Sequence, residues 1–192
     1  MSRCKSIDLS GELTGVINEI CRFSPSFGHI DHERIAVCIA SNRSGGRGAT
    51  YGKLVPMRFR QGSQVVRHSG RHYSMPEILK GELPLLYLIY FYMPRFFDLP
   101  AREKIRVIFH ELYHISPDFD GDIRRMGRVK VAHGHSRKSF DSSFSGEMED
   151  FLGHISAGPL MDFLDMTSSH IYSGYERIVG LRMKTPRPVP VD

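Results

Sequence analysis

The sequence predicts an α+β fold in which a small mixed or antiparallel sheet packs against one strong amphipathic helix, with additional helices near both ends. Three observations support this: three short apolar segments have strand character, one later segment has a clear helical stripe, and weaker helical patterns lie before and after. A length of 192 residues suits a single domain. We expect that domain to span residues 1–180, followed by an extended proline-rich tail at 181–192.

The first half of the chain supplies one helix and the three strands. In residues 9–20 apolar side chains recur at helical spacing, and Ser10 is a candidate cap. Residues 34–40 are short, apolar and β-branched, which indicates a strand. Residues 50–60 form a second candidate strand whose internal proline favours an edge position, and residues 83–93 form a third, strongly apolar one.

The clearest predicted element is the helix that follows the third strand. Asp98 and Pro100 mark its start, Glu103 suits its first turn, and Pro117 marks its end. Its apolar stripe consists of Ile105, Ile108, Phe109, Leu112 and Ile115. A further helical pattern covers residues 140–155, and Pro159 is expected to break it.

Composition narrows the class of protein. Hydrophobic residues make up 41% and charged residues 24%, which excludes collagen-like, mucin-like and wholly disordered chains. The net charge of +5 permits an acidic partner without requiring one. Three cysteines are too few for a secreted disulfide scaffold, and neither a signal peptide nor a membrane-length apolar run is evident. We therefore expect a cytoplasmic protein with no membrane partner.

The strong helix carries the sequence HELYH. His110 and His114 are separated by four residues, so both imidazoles lie on one helix face and can reach the same metal ion. Glu111 follows the first histidine and is positioned to act as general base towards a metal-activated water. Two imidazoles with a neighbouring carboxylate suit Zn²⁺ best.

A catalytic zinc site needs a third protein ligand. We favour His133, because Gly134 would let the backbone approach closely, over the neighbouring His135. The alternatives are the aspartates of DFDGD, Asp118, Asp120 and Asp122, which are better interpreted as outer-shell acceptors or as a turn at Gly121.

HELYHISPDFDGDIRR, followed later by AHGHSRKSFD, resembles the putative phage metallopeptidase family of zincin-like HExxH proteins. The resemblance extends over about residues 27–145, including HIDHERI and YGKLVPMRF. It implies a zincin-like fold and a zinc-dependent peptidase with His110 and His114 as ligands and Glu111 as base, and it adds weight to His133 as third ligand. It also implies a peptide or protein substrate and, if the chain is phage-encoded, a location in the host cytoplasm.

Two functional hypotheses remain open at this point. In the first, the protein hydrolyses peptide bonds, and Arg124, Arg125, His135 or Tyr113 is the candidate oxyanion stabiliser. In the second, the domain is a non-catalytic, metal-stabilised module that binds protein or nucleic acid through the basic residues 124–138. No nucleic-acid motif supports the second interpretation, and the oligomeric state is not predicted.

Overall fold

The computed structural model describes residues 4–41, 50–126 and 137–191. Its strands are β1 (Cys4–Asp8), β2 (Ile35–Ser41), β3 (Gly52–Pro56), β4 (Val65–His68), β5 (Arg71–Ser74), β6 (Leu79–Lys80), β7 (Leu83–Pro84), β8 (Tyr87–Met93), β9 (Tyr175–Val179) and β10 (Val189–Pro190). Its helices are α1 (Leu9–Phe23), α2 (Ala101–Tyr113), α3 (Arg137–Ser142), α4 (Ser145–His154), α5 (Pro159–Asp165) and α6 (Ser168–Gly174). The predicted mixture of helices and small sheets is confirmed.

The central sheet has the strand order β2-β8-β3. β2 runs parallel to β8, from the pair Ile35 and Tyr87 onwards, and β3 runs antiparallel to it. β8 is the most apolar segment of the chain and is buried along nearly its whole length. A central strand is covered on both faces, and this explains why it lacks a polar alternation. β3 is an outer strand, as Pro56 predicted.

The two faces of this sheet pack against different parts of the chain. Side chains such as Val37, Ile89 and Phe91 join the larger core, which includes the helices. The alternate positions, among them Cys38 and Tyr90, form a second and smaller core. The period-two alternation of a strand therefore divides one sheet between two hydrophobic layers.

The helices begin and end near the predicted positions, but their caps differ from the predictions. Asp8, and not Ser10, caps α1, since its carboxylate accepts hydrogen bonds from the backbone N–H groups of residues 10 and 11. Asp98 does not cap α2; its carboxylate binds Ser168 through both the backbone N–H and the hydroxyl. Pro159 interrupts the helical pattern as expected, but it also starts α5.

Several pairings join segments that are distant in sequence. β1 runs parallel to β9, near the other end of the chain. The polar segment 61–82 contains the hairpin of β4 and β5 and the short pair of β6 and β7. In the C-terminal segment, β10 pairs with β5, and the Leu181 carbonyl accepts a hydrogen bond from Ile39 N–H on β2.

Across the described ranges, no helix is both long enough and apolar enough to cross a membrane.

Candidate metal centre

Two histidine side chains converge at the C-terminal end of α2. His110 lies in the last turn of the helix, and His114 is the residue that caps it. Their Nε2 atoms are 3.2 Å apart. Two imidazole nitrogens on a tetrahedral zinc ion, each about 2.0–2.1 Å from the metal, lie roughly 3.3 Å apart. The separation of the two nitrogens is therefore close to that expected for a shared zinc ion.

Asp141, on α3, orients the first of these imidazoles. Its Oδ1 lies 2.6 Å from Nδ1 of His110, and its Oδ2 accepts a hydrogen bond from Arg106 at 3.0 Å. A carboxylate partner places the imidazole proton on Nδ1, which leaves the Nε2 lone pair directed at His114. Burial acts to raise the pKa of the Asp141 carboxyl, but the His110 hydrogen bond and charge, together with Arg106, hold that pKa below its usual value.

The histidine pair is covered by aromatic packing. His110 is 3% exposed and His114 is 8% exposed. The ring of Phe140 stacks on His114, with centroids 4.5 Å apart and an interplanar angle of 29°, and it also contacts His110. Phe140 comes directly before Asp141, so one turn of α3 both covers and orients the pair.

The side chain of Glu111 extends from α2 to the outer strand β3. The carboxylate is buried, and its Oε2 accepts a hydrogen bond of 2.8 Å from the backbone N–H of Leu54. A methyl group added at Gly52 would lie 2.9 Å from the Glu111 Cγ atom, so this close approach depends on glycine. Burial raises the pKa of the Tyr92 phenol, and the nearby Glu111 charge adds to that effect.

The favoured third ligand, His133, and its alternative His135 lie outside the described residues. Both described segments that flank residues 127–136 contact His114. The Arg124 N–H donates to the His114 carbonyl at 2.7 Å, and Phe140 stacks on its ring. Within residues 4–41, 50–126 and 137–191, no third His, Cys, Asp or Glu completes a metal-binding group.

The aspartates of DFDGD form a turn instead of meeting the histidines. The Asp122 carboxylate accepts hydrogen bonds from the Gln61 N–H and from Arg125, and Gly121 has a φ of +88° that suits glycine. Asp118 and Asp120 line a separate cavity with Arg60. The turn interpretation of this motif is therefore supported, and the carboxylate that hydrogen-bonds a histidine of the pair is that of Asp141.

The described residues that were considered for oxyanion stabilisation each contact other groups. Arg124 stacks its guanidinium 4.2 Å from the centroid of the Tyr113 ring and donates to the Tyr113 carbonyl. Tyr113 in turn packs against Phe140. Arg125 forms an ion pair with Asp122.

Comparison with known families agrees with this arrangement. The sequence model of the family described as putative phage metallopeptidase matches residues 7–145, which include both histidines, Glu111 and Asp141. The chain belongs to this family. The match ends at residue 145, so α4 and everything after it extend beyond the family region. No curated protein and no solved structure matches the chain.

Two contributors to the site were missed by sequence reasoning. Asp141 follows His110 by 31 residues, and no spacing rule connects them. Leu54 contributes a backbone N–H, a group that every residue except proline has, so the residue type could not identify it. The sequence offered one signal for Asp141. It is the last residue of AHGHSRKSFD and directly follows Phe140, which belongs to a predicted helical pattern.

Proposed function

We propose that the protein is a zinc-dependent peptidase with a zincin-like arrangement, in which His110, His114 and His133 hold the metal and Glu111 is the general base. The observation that carries the proposal is the convergence of the two Nε2 atoms at 3.2 Å at the end of the helix that also bears the buried Glu111 carboxylate. The family assignment and the Asp141 hydrogen bond to His110 add support.

The choice of His133 follows from the arrangement around His114. A catalytic zinc site takes three protein ligands and leaves one position open. Since no third donor joins the pair in the described ranges, the remaining ligand is sought in residues 127–136. Described residues on either side of this segment, Arg124 and Phe140, contact His114, and His133 is a donor within the segment.

The metal and Glu111 would have complementary roles. When bound, zinc supplies a positive charge that lowers the pKa of its water to about 7 and polarises a peptide carbonyl. Glu111 accepts the proton of the attacking water and returns it to the leaving amine. The hydrogen bond from Leu54 keeps one carboxylate oxygen of Glu111 in place.

β3 offers a surface on which an extended substrate could align. The Leu54 N–H points to Glu111 and not to β8, so the carboxylate lies at the outer edge of the sheet. A peptide that adds as a further strand along β3 would therefore pass the proposed base.

The substitution Glu111→Gln tests this proposal. It preserves side-chain shape but cannot accept the proton, so we expect a loss of at least about 100-fold in cleavage of a quenched fluorescent peptide library. Zinc content, measured by elemental analysis, should remain at the wild-type value. Glu12→Gln, an exposed site on α1, is the matched control. Cleavage by Glu111→Gln at the wild-type rate would refute the proposed base.

A second function, a metal-stabilised binding module without catalysis, is favoured by one observation. The side chains of His110, Glu111 and His114 are all less than 10% exposed, as in a structural metal site. This hypothesis predicts that the wild-type protein with bound zinc cleaves no member of the library. It also predicts that metal removal lowers the unfolding temperature, and that Glu111→Gln leaves that temperature unchanged.

A further inference from the structure

A two-stranded ribbon of β4 and β5, residues 65–74, carries positive charge that no nearby acidic residue in the sequence offsets. The surrounding segment 57–76 contains four arginines and two histidines, and no aspartate or glutamate. The chain as a whole has 26 basic and 21 acidic residues, so this segment differs from the average mainly in having no acidic residue. We call residues 65–74 the basic ribbon.

The arginines of the basic ribbon lack the ion pairs that several other surface cations form. Arg22, Lys80, Arg102 and Arg125 each pair with a nearby carboxylate. Arg67 and Arg71 are exposed, and neither joins a carboxylate within the described part of the chain. Their charge is therefore available to an anionic partner.

The charges point to both faces of the basic ribbon. Arg67 lies opposite His72, and His68 lies opposite Arg71. Because neighbouring residues of a strand point to opposite faces, Arg67 and Arg71 project on different sides. A ribbon that lay flat on a surface would use one face only. Charges on both faces suit insertion between two walls of phosphate.

Dimensions and composition favour a B-form DNA duplex as the partner. The major groove is about 12 Å wide and admits a two-stranded ribbon, and four residues of strand extend about 13 Å. The deep, narrow major groove of an RNA duplex does not admit side chains. Proteins that bind single strands use aromatic stacking platforms. The one aromatic residue of the basic ribbon, Tyr73, is only partly exposed and pairs with Pro190 of β10.

The base of the basic ribbon is anchored to the turn formed by DFDGD. The Arg58 N–H donates to the Gly121 carbonyl at 3.0 Å, and β10 covers the outer edge of β5. Asp118 and Asp120 lie at the base, next to Arg60, and would repel phosphate there. The contact with an anionic partner is thereby restricted to the projecting end.

We propose that the basic ribbon binds duplex DNA, with its end in the major groove and Arg67 and Arg71 on the phosphates of opposite groove walls. The interaction reads charge and groove shape and not base sequence. It requires no metal, and it goes beyond the proposed peptidase function, which it does not depend on.

Fluorescence anisotropy with a labelled 20-base-pair duplex tests the proposal, using the full chain. The double variant Arg67→Ala/Arg71→Ala should weaken binding at least tenfold at 100 mM salt. The slope of log K against log salt should also fall by about 2, since each phosphate contact contributes about 0.9. The control Lys5→Ala/Arg177→Ala removes two exposed charges from β1 and β9 and should change affinity less than twofold.

Other outcomes would overturn the proposal. It fails if the ribbon variant and the control lose affinity equally, or if the wild type does not bind the duplex at 50 mM salt. It also fails if single-stranded DNA, duplex RNA or poly-glutamate of equal charge binds as tightly as the DNA duplex. Repeating the titration with Glu111→Gln separates the two hypotheses, because this variant should bind DNA like the wild type even if the peptidase proposal is wrong.

Discussion

Leu54 donates its backbone N–H to the Glu111 carboxylate, and this bond joins the outer strand of the sheet to the helix that carries both histidines. Without this bond, the Glu111 side chain could adopt several rotamers. The bond ties the position of Glu111 to that of β3, so changes in this strand should affect the site directly.

Gly52→Ala should disrupt that contact. The added methyl group would lie 2.9 Å from the Glu111 Cγ and 3.0 Å from Val107, so the strand or the carboxylate must move. We expect a decrease in unfolding free energy of about 1–3 kcal/mol and a fall in any peptidase activity of at least tenfold. Gly15→Ala on α1, which has open space around it, is the control and should be neutral or slightly stabilising. Equal effects of the two substitutions would contradict the proposed role of β3.

Asp141→Asn should weaken metal binding without removing a ligand. The amide cannot hold the His110 Nδ1 proton or the Arg106 guanidinium as the carboxylate does. Loss of such a partner typically costs about 10–100-fold in metal affinity. Competition for zinc against a chromophoric chelator would measure this effect. The control Asp150→Asn, at an exposed position of α4, should leave the zinc affinity unchanged. If Asp141→Asn also leaves the zinc affinity unchanged, Asp141 does not contribute to the site.

We expect the buried side chain of Lys104 to make the stability of the folded protein depend on pH. Its side chain is 1% exposed, and its Nζ donates to the carbonyls of Leu164 and Met166. Burial lowers the pKa of Lys104 from 10.5 to about 8, so the folded protein releases this proton before the unfolded chain does. Between these two values the unfolded chain binds more protons, and the stability contributed at this position therefore rises with pH.

The comparison with Lys104→Met isolates that contribution. The unfolding free energy of the wild type minus that of the variant should increase by about 1–3 kcal/mol between pH 7.5 and pH 10.5, because one pKa unit corresponds to about 1.4 kcal/mol. Urea titrations at a series of pH values would measure it. The exposed Lys5→Met variant controls for the loss of a lysine. A flat or falling difference would contradict the lowered pKa.

Truncation after residue 145 should prevent folding, although the family match ends there. The removed segment contributes six buried apolar side chains to the main core: Met148, Phe151, Ile155, Phe163, Leu164 and Ile171. Each contributes about 1.5–3 kcal/mol on burial, so the total of about 9–18 kcal/mol is comparable to the whole stability of a typical domain, about 5–15 kcal/mol. Circular dichroism and limited proteolysis would detect the loss. Removal of residues 185–192 alone should lower stability far less; a cooperative folded 1–145 fragment would show that the later helices are dispensable.

The elements that sequence analysis predicted are those whose signal is local. The apolar spacing in residues 9–20 and around residues 105–115 predicts α1 and α2, and unbroken hydrophobicity predicts β8. The basic ribbon gave no such signal, because polar side chains occupy both of its faces and erase the period-two pattern. The pairing of β1 with β9 joins opposite ends of the chain, and no local pattern encodes it.

The identity and spacing of the residues in HELYH determined that two imidazoles and a carboxylate would share one helical turn, because a helix repeats every 3.6 residues whatever surrounds it. The tertiary structure alone decided what completes the centre: the Asp141 carboxylate behind His110, the Phe140 ring over His114 and the Leu54 N–H on Glu111. These contacts arise where α3 and β3 pack against α2. The burial of a hydrophobic core brings such segments together. Their separation along the chain gives no information about which segments will meet.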